Sequence, residues 1–157
     1  MAEITNIIQE KVERYGRERK ALIPILQGIV KEKKYVDQSD MVAVARALDI
    51  SAADVYGTAS FYSFIEDTKK GEFVIRVCKS ITCDMKGKHK VLKALEDELR
   101  IKLGETTHDN KFSLLETNCL GLCDVGPAML INEEPHTHVK PDDIHEIIST
   151  YRNLVKK

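Results

Sequence analysis

The chain has 157 residues, 43% hydrophobic and 31% charged, with a formal net charge of −1. That is the balance of a soluble globular protein with one ordinary domain or two small ones, and it excludes a disordered chain. Split at Lys70, the first part carries 11 basic and 11 acidic residues and the rest 13 and 14, so neither part has the basic excess that nucleic acid or an anionic membrane requires. Residues 3–65 read as helical. Ile4, Ile7, Ile8, Val12 and Tyr15 recur at steps of three and four, and Gly16 ends that helix. Leu22, Ile25, Leu26, Ile29 and Val30 mark a second helix, with Pro24 in its first turn, where a missing N–H costs little. A third runs from Asp40 to Leu48 with Ser39 as its N-cap. Ser51 followed by Asp54 starts a fourth, through Val55, Ala59 and Tyr62.

Beyond the charged connector 66–71 the pattern changes. EFVIRVC (72–78) is a strand by its β-branched and apolar content. Residues 87–101 form an amphipathic helix with Val91, Leu92, Leu95 and Leu99 inward, and 103–111 form a loop. FSLLETN (112–118) and AMLIN (128–132) are strands, and 133–139 hold a short fourth one. Pro141 starts the last helix, reaching Val155, with Ile144, Ile147, Ile148, Tyr151 and Leu154 or Val155 on the core side. The second half is therefore β-α-β-β-(β)-α, an order that suits a small sheet covered by helices. The expected division is a helical segment at 1–70 and a sheet domain at 71–157.

All four cysteines fall in two short stretches, VCKSITCDMKG (77–87) and NCLGLCDVGPAML (118–130). Cys78 closes the first strand and Cys83 lies in the loop after it. Cys119 closes the second strand, with Cys123 in its following loop. If those strands are parallel neighbours, both loops emerge at one sheet edge and four thiols converge. No apolar run approaches the roughly 20 residues of a membrane span. The start MAEITNIIQEKVERYG has no apolar signal segment, so a cytoplasmic location is the expectation. There, paired cysteines more often hold metal or do redox work than form disulfides. Zinc sites with four cysteines usually use C-x2-C knuckles, whereas the spacings here are C-x4-C and C-x3-C. Looser loops suit two irons bridged by sulfide. Dithiol exchange is disfavoured, because it uses C-x2-C at a helix start. On spacing an iron–sulfur cluster, zinc and plain buried or redox thiols all stay open, in that order of preference.

With ALIPILQ (21–27) and DVYGTASFYSFI (54–65) before them, VCKSITCDMKG and TNCLGLCDVGPAMLIN resemble the thioredoxin-like [2Fe–2S] subunit of NADH dehydrogenases. Relatives occur in respiratory complex I, in NAD-linked and electron-bifurcating hydrogenases and in NAD-dependent formate dehydrogenases. The resemblance covers nearly the whole chain. It implies an α/β fold, a thioredoxin-like [2Fe–2S] ferredoxin domain preceded by a helical N-terminal segment. It further implies that Cys78 and Cys83 ligate one iron and Cys119 and Cys123 the other. It implies a partner flavoprotein carrying FMN and NAD(H), docked by residues 17–65, and allows a cis Pro127; the other reading of residues 17–65, compatible with the first, is a helical cap that covers one side of the sheet domain. The chain itself shows no G-x-G-x-x-G after a strand and no G-x4-G-K-[ST], so hydride chemistry is expected in the partner. The start reads as lacking a presequence, which is the expectation for a subunit that is not imported into an organelle, and the short, compact form leans toward a bacterial soluble complex over a membrane-bound respiratory one.

Alternatives from other classes are a zinc-stabilised interaction module without a redox role and a free-standing ferredoxin. A DNA-binding helix-turn-helix is disfavoured, since Ala52 to Phe64 contains no Lys or Arg. Tyr56, Phe61, Tyr62 and Phe64 read as core or interface residues. His136 and His138, two apart, share a strand face and read as solvated edge residues, and His89 as helix surface. Asp84 and Asp124 each follow a cysteine and disfavour an added electron, an effect that Lys79, Lys86 and Lys88 are placed to offset.

Overall fold

The computed structural model of the chain describes residues 2–154. The fold divides between Lys69 and Lys70 into two compact units.

The first unit is helical. Helix α1 (Ala2–Tyr15) stops at Gly16, whose φ of +81° suits a residue without Cβ. A 3-10 turn at Arg19–Ala21 leads into α2 (Leu22–Lys33), with Pro24 at its third position as expected. Helices α3 (Gln38–Leu48) and α4 (Ala52–Phe61) follow. Their apolar stripes meet in a core of Ile8, Leu22, Ile25, Leu26, Ile29, Val44, Leu48 and Val55, among others. At Gly28 a Cβ would lie 2.8 Å from Ile7 Cγ2, so α1 and α2 pack closely there because Gly28 has no side chain.

The cap of α3 is Asp37, not Ser39. The Asp37 carboxylate accepts the Asp40 N–H at 3.0 Å, and the Asp40 carboxylate accepts the Asp37 N–H at 3.0 Å. The Lys33 ammonium joins both carboxylates, at 2.7 Å from Asp40 and also in contact with Asp37. Ser39 donates its hydroxyl to Asp37 instead. An acidic side chain two residues earlier caps better here because Lys33, at the end of α2, neutralises it. The cap of α4 is Ser51, as expected, accepting the Asp54 N–H at 3.0 Å.

The second unit is a four-stranded sheet with helices. Its elements are β1 (Phe73–Cys78), α5 (Ile81–Met85), α6 (Lys88–Leu99), β2 (Phe112–Thr117), β3 (Met129–Ile131), β4 (Glu134–His136) and α7 (Ile144–Leu154), the last entered through a 3-10 turn at Pro141–Asp143. The strand order is β2-β1-β3-β4, with β1 parallel to β2 and antiparallel to β3. Alternation puts Phe73, Ile75, Val77, Phe112, Leu114, Met129 and Ile131 in one core with Val91, Leu95 and Leu99 of α6 and Ile144, Ile148 and Tyr151 of α7. Phe73 packs on Phe112 and Tyr151 with ring centroids 5.5 and 5.1 Å apart. At the end of α7, Leu154 is 61% exposed, so it does not join the core; Val155 lies outside the described residues. Helix α5 stands where a loop is expected from sequence, because no apolar periodicity announces so short a helix.

The Asp37 carboxyl is held well below the usual carboxylate range, first by its bond to Lys33 and then by Ser39 and the Asp40 N–H. A pKa depressed by folding means that this stabilisation is complete above about pH 4 and is lost as pH falls toward the folded-state value. Replacing Asp37 by Ala is expected to destabilise the first unit by about 1 kcal/mol. Thermal unfolding followed between pH 7 and pH 3 should show the gap between variant and native narrowing as the acid limit is approached.

Candidate metal centre

Cys78 is the last residue of β1, and its register partner on β2 is Thr117. The parallel pairing extends one step further through the Lys79 N–H to the Thr117 carbonyl at 2.9 Å, while the Cys78 N–H bonds the Ala128 carbonyl at 3.2 Å. Both cysteine-bearing segments therefore leave from the same end of the parallel strands, as the spacing argument required. Two details differ from expectation. Cys83 sits within the short helix α5, which starts after Ser80, not in an open loop. Cys119 lies two residues beyond the end of β2 instead of closing it.

All four cysteines are free thiols; Cys78 and Cys83 are buried, Cys123 is half-buried and Cys119 is exposed. They stand as two pairs. Cys119 Sγ and Cys123 Sγ are 3.4 Å apart, and the Gly121 N–H points at Cys119 Sγ from 3.4 Å. Cys78 and Cys83 are the inner pair, buried in one small cluster, and the Cys83 thiol acts on Cys78. Ala128 completes a small apolar cluster with the inner pair, and Leu120 and Leu122 pack against it. The Ser80 hydroxyl lies 3.3 Å from Cys78 Sγ. Burial pushes the Cys78 thiol up, but Ser80, the N–H groups of Ser80 and Leu120 and the Cys83 thiol outweigh it and bring it below its ordinary value. Cys123 moves the other way, raised first by its hydrogen bond with Cys119 and then by the charge of Cys119, burial and the charges of Cys83 and Cys78. Each pair thus influences the other electrostatically, and full deprotonation of all four calls for compensating positive charge.

The loop carrying the second pair is tied down. The His138 N–H bonds the Val125 carbonyl at 2.7 Å and the Val139 N–H bonds the Pro127 carbonyl at 3.1 Å. The Gly126–Pro127 peptide is cis. Gly126 is buried, and a Cβ there would stand 3.1 Å from Cys83 Sγ. The main chain of one cysteine segment therefore comes against the sulfur of the other because residue 126 has no side chain.

This donor set suits a two-iron, two-sulfide cluster: four thiols in two pairs, N–H groups aimed at sulfur and a close main-chain wall.

A family model for the thioredoxin-like [2Fe-2S] ferredoxin matches residues 8–152. The chain belongs to the thioredoxin-like [2Fe-2S] ferredoxin family. This ferredoxin is similar to a subunit of the NADH-quinone oxidoreductase of Escherichia coli K12, 41% identical over 145 residues that span 92% of this chain and 87% of the relative. It is similar to the corresponding NADH-quinone oxidoreductase subunit of Aquifex aeolicus, 32% identical over 149 residues, 95% and 93% of the two chains. Among solved structures, an air-oxidised NAD+-reducing [NiFe]-hydrogenase superposes on 88% of the ferredoxin with a TM-score of 0.75 and 23% identity. That likeness is one of fold, and the ferredoxin spans only 24% of that hydrogenase chain. The thioredoxin-like fold and the [2Fe–2S] cofactor are thereby those of the family.

The Nε2 atom of His136 is 2.9 Å from the Tyr151 hydroxyl, which donates to Glu134 at 2.6 Å. Burial pushes His136 down, outweighing the opposing effect of Glu134. His138 lies past β4 with φ of +51°, so the two do not share a strand face, and His136 is a packed residue between β4 and α7. His89 is exposed on α6, as expected. Tyr56, Phe61, Tyr62 and Phe64 are 54%, 79%, 42% and 48% exposed, which overturns the core reading of these rings and leaves the interface one. No described helix is long and apolar enough to cross a membrane.

Replacing Gly126 by Ala places a methyl against Cys83 Sγ, so cluster retention should fall several-fold while the far-ultraviolet circular dichroism stays native. Iron content after dialysis against a chelator reads the effect.

Proposed function

We propose that this ferredoxin is the electron-transfer subunit of a multi-subunit NAD(H)-linked oxidoreductase. In this reading Cys78 and Cys83 hold one iron of the [2Fe–2S] cluster and Cys119 and Cys123 the other, beside a flavoprotein that binds FMN and NAD(H). The observation that carries it is the convergence of two thiol pairs at one end of the parallel β1–β2 pair. When bound, the cluster supplies a one-electron couple. The chain's own part is to hold it: the four thiolates would complete the coordination of the two irons and leave no open position for substrate. The inner pair is sealed by Ala128, Leu120 and Leu122, and the outer pair faces solvent. Bond-making on a nicotinamide would then be the work of the partner, where a bound flavin would supply the exchange between hydride and single-electron chemistry.

The host is of the NADH dehydrogenase type, whether a quinone reductase, a hydrogenase or a formate dehydrogenase. The likeness to NADH-quinone oxidoreductase subunits supports the first. Docking of the flavoprotein falls to the first unit, where Tyr56, Phe61, Tyr62 and Phe64 expose aromatic surface on α4 and just beyond its end. Exposed aromatic rings of this kind are enriched at interfaces.

The deciding experiment is an anaerobic visible spectrum with iron, sulfide and zinc assayed on the same sample. About two irons and two sulfides per chain are expected, with bands that bleach on dithionite. One zinc and no colour defeats the redox reading in favour of an interaction module. Cys119→Ser should alter iron content and spectrum, and a variant unchanged in both argues against the ligand assignment. Phe61→Ala should reduce recovery of the flavoprotein with a tagged chain at least several-fold while the cluster spectrum stays native. Undiminished recovery removes the aromatic patch from the interface.

A further inference from the structure

Three lysines lie close in sequence to the first cysteine pair: Lys79, Lys86 and Lys88. The sequence does not rank them, but the structure separates them. The Lys88 ammonium is mostly buried, 3.0 Å from Glu116 Oε1 and 3.9 Å from Asp84 Oδ1, so its charge is balanced by carboxylates. Lys79 is exposed next to Cys78. Lys86 follows α5 directly and reaches across to the second cysteine segment. Its Nζ donates to the main-chain carbonyl of Asp124 at 2.7 Å, one residue past Cys123. That acceptor is neutral, so the bond itself does not cancel the ammonium.

The stem of Lys86 runs over Gly126. A Cβ at that position would lie 3.5 Å from Lys86 Cδ and 3.1 Å from Cys83 Sγ. Lys86 and Cys83 thus approach the same main-chain position, and the lysine bridges two segments 38 residues apart in the chain. Reduction adds one negative charge to the cluster, and a cation fixed beside it favours that form. A hydrogen bond between the two segments also opposes their separation, which is how iron would be lost.

We propose that Lys86 is a positioning residue for the cluster: it clasps the two cysteine segments together, and its ammonium favours the reduced state. The proposal rests on the cysteine ligation proposed above. Lys86→Met keeps most of the stem and removes the ammonium; Lys86→Arg keeps the charge and a donor. Native chain and both variants are purified anaerobically, assayed for iron and sulfide and titrated potentiometrically by visible absorbance and electron paramagnetic resonance. Each is then mixed with an iron chelator.

All three should hold about two irons and two sulfides per chain. Lys86→Met should be several-fold harder to reduce, with a more negative midpoint potential, and should lose iron several-fold faster. Lys86→Arg should stay close to native in both. The potential difference between native and Lys86→Met should shrink at about 1 M salt, where the screening length is about 3 Å. An unchanged midpoint or an unchanged rate of iron loss in Lys86→Met overturns the proposal and leaves cysteine ligation standing, since cluster content is measured on the same samples. A native chain without iron and sulfide overturns the ligation reading and this proposal with it.

Discussion

The parallel pairing of β1 with β2 is the constraint on which the metal centre depends. Cys83 and Cys119 are separated by 35 residues, and nothing local brings them together. Parallel strands need a crossover, supplied here by α6, and a crossover returns the chain so that both strands end on one side. Register then matters as much as direction, with Cys78 opposite Thr117. The core under the sheet holds that register, because a slip by one residue would turn Ile75 and Leu114 out of the shared interior.

Around that edge the chain uses small residues and main-chain polar groups instead of large side chains. Gly126 and Ala128 let one segment run against the sulfurs of the other. The N–H of Gly121 points at the Cys119 sulfur, and those of Ser80 and Leu120 lower the Cys78 thiol. Such donors favour thiolate over thiol without adding net charge. The charged groups lie one layer out, where Lys88 is shared between Glu116 and Asp84 while Lys86 reaches a carbonyl. The centre therefore has a buried, weakly polar inner side at Cys78 and Cys83 and an open side at Cys119. That asymmetry suits a one-electron carrier meeting a partner at its surface.

The helical unit is built on a different principle. Its core is aliphatic and closed, from Ile8 through Val55, and its helix starts are specified by short polar side chains. The aromatic rings near the end of α4 are left outside that core. Lys33, Asp37 and Asp40 lock the corner between α2 and α3 with charge-assisted bonds. Asp37 is hard to pick out as the cap from sequence, because the neighbouring Ser39 carries equally good cap chemistry and the contribution of Lys33 shows only in the folded corner.

What the sequence determined by itself is the set of longer helices and strands, the β-α-β-β-(β)-α order of the second half and the identity of the four cysteines. Those follow from periodicity, turn residues and spacing, which are local properties. His136 illustrates the limit: its sequence neighbours suggest an exposed strand edge, yet Tyr151, 15 residues later, comes from α7 to bond it. Helix α5 is similar, because one turn after a strand has too few residues for a period to show. The division of the thiols into a buried pair and a pair with only Cys119 exposed, the close approach at Gly126 and the choice of Lys86 over its two neighbours were decided only by tertiary structure. Each depends on contacts between segments far apart in the chain, and such contacts leave no periodic trace in either segment alone.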